Sequence, residues 1–428
     1  MRCNRNFGLK RFPAICFPFN FPDFPVWFSF SRFEQCHDHF YNNISGFVQH
    51  NLIYPHQQEA TSKVLHELGV GGEDKKISLA VLPTGTGKTG IAVLLAYCLK
   101  SRNVLIITPS ETISRQVFIE FGCDFDYEGF VQSRRLVQPD SLKQVIPTHD
   151  LILKTAQITR RTCQVADLTI ANAHKFGANS AVDIDKLSKD LFDVVIVDEA
   201  HHYPAPTWKN IVHHFNKSRI VFLTATPYWK NKYILGDQRP AYELSRSDAV
   251  SQGIIREISF LEVGNSFDSD QLRYEKVICC ILDTLKRHDQ EDTKVRHQAM
   301  ILCQSKEEAY SVSRQCVEIG GESCCSPFIQ GSSRQTLEEY RDGRIRVLAI
   351  VGRLLEGFDQ KSVSVAAILR NVAPATRVLF SQFVGRAVRK CHKHDPVVAT
   401  VISHVLHAQR QNFRRLDLLA EEDPADDE

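Results

Sequence analysis

The sequence predicts an α/β protein made of two parallel-sheet units in tandem. Three observations carry this reading. Runs of Val, Ile and Leu alternate with helical segments, the pattern starts afresh after about residue 250, and a Gly-rich loop closes the first strand and opens a helix. Continuous β-branched runs mark strands buried on both faces, and such strands belong to parallel sheets covered by helices.

The elements follow in order. Lys76–Leu82 reads as a strand, Lys88–Lys100 as a helix, and Val104–Thr108 as a second strand followed by a helix near Ile113–Phe121. Leu168–Ala171, Phe192–Val197 and Ile220–Thr224 complete the strands of the first unit. The polar stretch Tyr228–Gly253, with Gly236, Pro240 and Gly253, is the expected connector. Ala299–Cys303, Arg346–Val351, Val363–Leu369 and Val397–Ser403 are the strands expected of the second unit. The domain boundaries so predicted are 1–45 for an N-terminal extension, 46–245 and 246–410 for the two units, and 411–428 for an acidic tail.

Composition sets the outer limits. At roughly 100–200 residues per domain, 428 residues suit two or three domains. A hydrophobic share of 43% and a charged share of 24% are those of an ordinary globular chain. A net charge of +2 gives no global basic signal, so any nucleic-acid surface must be local. The 13 cysteines form no CxxC pair, which points to reduced thiols and an intracellular protein of cytoplasm or nucleus. Cys36-His37-Asp38-His39 and Cys391-His392-Lys393-His394 are too tightly spaced for the usual zinc pairs. No apolar run reaches the ~18 residues that span a bilayer. The first residues are rich in Phe but broken by Pro13, Pro18, Pro22 and Pro25, which forbid a continuous helix. Their Arg2, Arg5, Lys10 and Arg11 faintly suggest a mitochondrial address, yet the prolines spoil its amphipathic helix. The last eight residues carry six acids and read as a solvated end.

Two segments carry chemistry. Leu82-Pro83-Thr84-Gly85-Thr86-Gly87-Lys88-Thr89 lies between a strand and a helix. Its glycines let backbone N–H groups converge on phosphate oxygens, and the helix N-terminus adds a favourable dipole. Lys88 would set a charge between the β- and γ-phosphates, and Thr89 would offer its hydroxyl to Mg²⁺. Gly85, Thr86 and Gly87 complete the candidate nucleotide-binding set, although the pattern's first glycine is here Leu82. The second segment is Val194-Val195-Ile196-Val197-Asp198-Glu199, an apolar strand ending in two acids at the sheet's C-terminal edge. Asp198 would hold Mg²⁺ largely through water, and Glu199 would orient and deprotonate an attacking water.

Asp198-Glu199-Ala200-His201 resembles motif II of the superfamily 2 helicases in its DEAH form, and the remaining motifs of that family follow in order. Pro55-His56-Gln57-Gln58-Glu59-Ala60 is similar to the Gln segment, which implies that Gln57 reads the adenine edge. Ile107-Thr108-Pro109-Ser110 is similar to motif Ia, and Ala171-Asn172-Ala173-His174-Lys175 sits where motif Ib belongs. The resemblance assigns Pro109, Ser110, His174 and Lys175 to the nucleic-acid backbone. Leu223-Thr224-Ala225-Thr226-Pro227 resembles motif III, and with His201 it implies coupling of the ATP site to the strand groove through Thr224 and Thr226. Leu355-Glu356-Gly357-Phe358-Asp359 resembles motif V, with Gly357 and Asp359 on the ATP side. Gln382-Phe383-Val384-Gly385-Arg386-Ala387-Val388-Arg389 resembles motif VI. Arg386 and Arg389 stand three apart, a spacing that puts both on one helix face, so they would act as arginine fingers. Gln382 would position the water or phosphate.

The resemblance covers roughly residues 50–405. It implies two tandem RecA-like P-loop domains with the ATP site in the cleft between them. It further implies an ATPase, dependent on nucleic acid and Mg²⁺, for which one chain suffices. Thr-Ala-Thr-Pro with Glu-Gly-Phe-Asp is similar to the type III restriction subunit (ResIII) group, which favours DNA over RNA by analogy. The competing reading is an ATP-controlled nucleic-acid switch that does not unwind. His202, Tyr228, Trp229, His213, His214, Arg410, Arg414 and Arg415 are read as packing or solvated positions.

Overall fold

The structure is a computed structural model. It describes residues 52–69, 76–99, 101–123, 128–134, 136, 149–152, 166–176, 184–229, 232–321, 324–329, 332–352, 359–372, 377–414 and 416. The N-terminal extension and most of the acidic tail lie outside the described residues.

The first unit is a parallel sheet of β1 (Ile77–Val81), β2 (Val104–Thr108), β3 (His149–Ile152), β4 (Leu168–Asn172), β5 (Val194–Asp198), β6 (Arg219–Thr224) and β9 (Tyr242–Glu243). A short antiparallel hairpin of β7 (Tyr228–Trp229) and β8 (Lys232–Tyr233) stands apart from it. The strand order is β3-β4-β2-β5-β6-β1-β9. Every residue of β2, β4 and β5 is buried. Leu105, Val195 and Val197 face one layer and Ile106, Val194 and Ile196 the other. Each such fully buried side chain contributes about 1.5–3 kcal/mol relative to exposure, and this two-sided burial dictates Val and Ile at successive positions rather than at alternate ones.

The second unit repeats the plan with β10 (Ile258–Val263), β11 (Gln298–Cys303), β12 (Cys325–Phe328), β13 (Val347–Ile350), β14 (Val363–Leu369) and β15 (Ala399–His404). Their order is β10-β15-β14-β11-β13-β12, again parallel. Its helices start where the sequence supplies caps. Ser269, Ser305 and Ser333 accept from the N–H groups of Leu272, Glu308 and Thr336, each worth about 1 kcal/mol.

The expected connector Tyr228–Gly253 is largely built into the first unit. β9 adds to the edge of its sheet beside β1, and Leu244 and Ala249 enter its core. Apolar Tyr242, Leu244, Ala249 and Ile255 are what bind this stretch down, so the chain crosses to the second unit at Ile255-Arg256. At the far end, Asn412 and Leu416 are buried on the second unit.

Candidate active site

The phosphate loop follows β1 directly. Leu82 N donates to Thr224 O (2.9 Å), which fixes the loop's start to the tip of β6. Gly85 and Gly87 have φ of +92° and +82°, in the region that glycine enters without a Cβ penalty. Gly87 is the N-cap of the helix Lys88–Cys98. A Cβ on Gly87 would lie 2.5 Å from Gln57 Nε2, so the approach of the Gln segment itself demands glycine there.

That approach is a pair of hydrogen bonds. Gln57 Nε2 donates to Gly87 O (3.0 Å) and His56 Nε2 donates to Thr86 O (2.8 Å). Burial pushes the His56 pKa down, against the pull of the Thr86 carbonyl. Both side chains are buried, and among the described residues His56 Nδ1 and Gln57 Oε1 have no hydrogen-bond partner. Gln57 thus grips the loop with its amide nitrogen and keeps an acceptor oxygen in reserve. Beside it, exposed Tyr54 stacks on His56 (centroids 5.7 Å apart) and lies under the Arg134 guanidinium at 4.4 Å. Sequence reasoning passed over Tyr54 and Arg134. The aromatic ring immediately before Pro55 was the available signal.

Lys88 is buried, and its Nζ lies 3.4 Å from Leu82 O. Thr89 follows it on the first turn of the helix. Asp198 ends β5, is buried, and accepts from Glu199 N (3.0 Å). Glu199 has φ +50°, a left-handed conformation rare outside glycine, which turns the chain sharply at the strand tip. Its carboxylate lies 3.5 Å from His201 Nδ1, and the same nitrogen is 3.4 Å from Thr224 Oγ1. Thr224 Oγ1 in turn donates to Thr226 O (3.0 Å) and accepts from Thr226 N (3.1 Å). Motifs II and III are therefore one hydrogen-bonded unit, with His201 between the acid and the threonine.

The two units meet at the phosphate loop. A Cβ on Gly385 would fall 2.8 Å from Thr84 Cβ, and one on Gly85 would fall 3.1 Å from Arg389 Cγ. Val388 and Ile255 pack beside Gly85, and Val388 belongs to the first unit's core. Arg389 Nη1 is bonded to Asp359 Oδ1 at 2.5 Å. Burial would raise the Asp359 carboxyl, but Arg389, Lys361 and Arg386 hold it below its ordinary value. Glu120, at the end of the first unit's helix Glu111–Glu120, is pushed up by burial and by Asp359 across the cleft.

One geometric expectation is corrected. Arg386 and Arg389 do not share a helix face, because the helix Arg377–Val384 stops before them. Arg386 N and Ala387 N instead make tight-turn bonds to Phe383 O and Val384 O, and Arg389 is drawn into a bridge with Ile255. Gln382 lies on the last turn of that helix. Gly357 lies outside the described residues.

The candidate backbone contacts also converge. Asn172 Nδ2 donates to Pro109 O (2.9 Å) and its Oδ1 accepts from His174 N (2.9 Å), so one residue at the tip of β4 joins motifs Ia and Ib. Ser110 caps its helix by accepting from Ile113 N (3.3 Å), and Lys175 Nζ lies 3.6 Å from Glu111 Oε1. His174 is exposed.

Residues 51–229 match the family described as "Type III restriction enzyme, res subunit". Over that stretch, fewer than half of its residues, the chain is similar to this family of superfamily 2 helicases. The Methanocaldococcus jannaschii protein MJ1505, assigned by its name to the ATP-dependent RNA helicases, is 25% identical over 188 residues, or 42% of this chain and 22% of that relative. The chain thus spans about a fifth of the length of that curated helicase relative. Among solved structures, a fragment assigned as the HsdR subunit of a type I restriction enzyme from Vibrio vulnificus aligns with a TM-score of 0.61 at 17% identity, covering 90% of this chain and 69% of that one. The Mycobacterium smegmatis helicase Lhr, bound to single-stranded DNA and AMP-PNP, gives 0.58 at 16% identity over 86% and 48% of the two chains. Dbp5 of S. cerevisiae, bound to RNA and ADP BeF3, gives 0.52 at 16% identity over 85% and 86%. These likenesses show the fold, two tandem RecA-like domains.

Among the described residues, no helix is long and apolar enough to cross a membrane.

Proposed function

We propose that this chain is a nucleic-acid-dependent ATPase that couples hydrolysis to movement along, or unwinding of, DNA. The observation that carries this reading is the seating of motif VI on the phosphate loop, with Gly385 against Thr84 and Arg389 against Gly85. A P-loop protein that only bound nucleotide would not need an arginine of a second unit, Arg389, pressed to that loop.

The placement of these residues supports the following roles. The loop Gly85–Thr89 cradles the triphosphate, and Lys88 supplies its charge. Gln57 offers the base an acceptor, its buried Oε1, while its amide holds Gly87. Glu199 orients and deprotonates the attacking water. Arg386 and Arg389 offset charge as the transition state forms, with Gln382 beside them and Asp359 setting the angle of Arg389. Buried Asp198 and the Thr89 hydroxyl are hard oxygen donors, which suits Mg²⁺. The sheet order fits as well, since only β6 separates the tip of β5, which carries Asp198, from that of β1, which leads into the loop before Thr89. Bound there, Mg²⁺ would neutralise phosphate charge. His201, Thr224 and Thr226 carry the change in Glu199's surroundings towards the groove, where Pro109, Ser110, His174 and Lys175 face the strand's phosphates.

DNA is the favoured polymer on the strength of the restriction-subunit match and of Lhr, whose structure holds single-stranded DNA. RNA is the alternative arm, because MJ1505 and Dbp5 are linked to RNA. The test is ATP hydrolysis with and without each polymer. The reading expects stimulation that falls steeply with salt, because phosphate contacts release counterions. Hydrolysis indifferent to every polymer would overturn it, and bound ATP without turnover would favour the switch.

A further inference from the structure

Arg256 stands where the chain passes between the units, and nothing in the motif pattern singles it out. Its neighbour Ile255 belongs to the first unit's core and bridges Arg389, and its own N–H donates to Val388 O (2.7 Å). The side chain is 1% exposed. Its five N–H donors are all directed at acceptors. Nε and Nη2 reach Asp395 Oδ2 at 3.0 and 2.6 Å. Nη1 reaches Val363 O at 2.8 Å and Ala387 O at 3.0 Å. Nη2 also approaches Lys361 O (3.4 Å) and Cys391 Sγ (3.1 Å).

We propose that Arg256, locked by Asp395, is a positioning residue that fixes motifs V and VI over the phosphate loop. This rests on the ATPase reading of the cleft. One guanidinium holds the backbone on both sides of the reactive groups. Lys361 and Val363 follow Asp359, and Ala387 and Val388 lie between Arg386 and Arg389. Asp395 closes the following turn, accepting from Cys391 N (2.8 Å) and Val397 N (3.1 Å). A buried ion pair is a poor source of net stability, since apolar groups of similar volume often replace it without loss. What the pair supplies here is fixed geometry. Only arginine can do so, because its rigid fork has five donors whereas lysine has three.

The experiment uses the full chain and single-turnover ATP hydrolysis, with rates normalised to active sites titrated by a fluorescent ATP analogue. Arg256→Lys should lower kcat about 10- to 100-fold, as expected for a displacement of the order of 1 Å at the reacting centre. The KM for ATP should stay within about threefold, because Lys88 and Gln57 are untouched. A double-mutant cycle separates positioning from a bland packing defect. In an Arg389→Lys background, Arg256→Lys should cost less than about threefold, since the group it aims is already impaired. Equal losses in both backgrounds, or a loss that vanishes on normalisation, overturn the proposal. Should Arg256→Lys not fold, Asp395→Asn, which keeps an acceptor oxygen and the volume, takes its place in the same cycle. A wild-type chain without any hydrolysis would overturn the ATPase reading itself, whereas an active wild type matched by its variant overturns only this inference.

Discussion

Gly385→Ala is the sharpest probe of how the two units meet. The added methyl would sit 2.8 Å from both Cβ and Cγ2 of Thr84 and 2.9 Å from Ser381 O. Carbon atoms rest at about 3.5–4.0 Å, so the segment must retreat from the loop by roughly 0.7–1.2 Å. Overpacking of this kind costs about 1–3 kcal/mol. The arginines ride on the same segment, and a misplacement of about 1 Å can lower a rate 10²-fold. We expect kcat for ATP hydrolysis to fall about 30- to 100-fold, with the KM for ATP changed by less than about threefold. Both Thr84 atoms at 2.8 Å belong to its side chain, so Thr84→Gly in the same chain should recover at least about fivefold of the loss. Steady-state phosphate release on the four chains, wild type, two singles and the double, reads this directly. The contact with Ser381 O stays in the double variant, so full activity in Gly385→Ala is the result that would refute the seating of motif VI on the loop.

Other outcomes follow from the same geometry. Glu199→Gln should retain ATP binding and lose about 10²–10⁴-fold in hydrolysis, the range of a general base, as measured by nucleotide binding beside turnover. Gly87→Ala meets both a positive φ and Gln57 Nε2 at 2.5 Å. It should weaken the loop by about 2–3 kcal/mol, strain plus one lost hydrogen bond, visible as a raised KM for ATP. Burial holds the His288 pKa down, from 6.5 to about 3. A lowered folded pKa gives stability that is fully present above pH 6.5 and is lost as pH falls towards 3. At 1.36 kcal/mol per pH unit, halved for partial solvent screening, about 1 kcal/mol is gone by pH 5. Denaturant melts of wild type and His288→Gln at the two pH values should show a shallower pH slope in the variant.

The strands that the sequence revealed are those buried on both faces. β2, β5, β11 and β14 are apolar runs interrupted only by Thr108, Asp198, Gln298 and Ser364, and such runs cannot be mistaken for a surface. β12 was missed because Cys325-Ser326-Pro327-Phe328 is short, polar and contains proline. β9 was missed because two residues carry no period, and β10 because its residues are only half-buried. In the site, motif order located the loop, Asp198, Glu199 and the arginines, since their chemistry needs those residue types. The turn that carries Arg386 and Arg389 was not legible. Three-residue spacing suits a helix, but Val388 O and Arg389 are claimed by Arg256 N and Ile255 from another part of the chain. Arg256 and Asn172 escaped for the same reason, as their roles arise from carbonyls distant in sequence.

The most direct test of the whole account is phosphate release by the purified chain, alone and with single- and double-stranded DNA and RNA, beside Lys88→Ala. The account predicts strong stimulation by one polymer, DNA before RNA, that is abolished in Lys88→Ala. Turnover that ignores every polymer, or that survives the loss of Lys88, would contradict it.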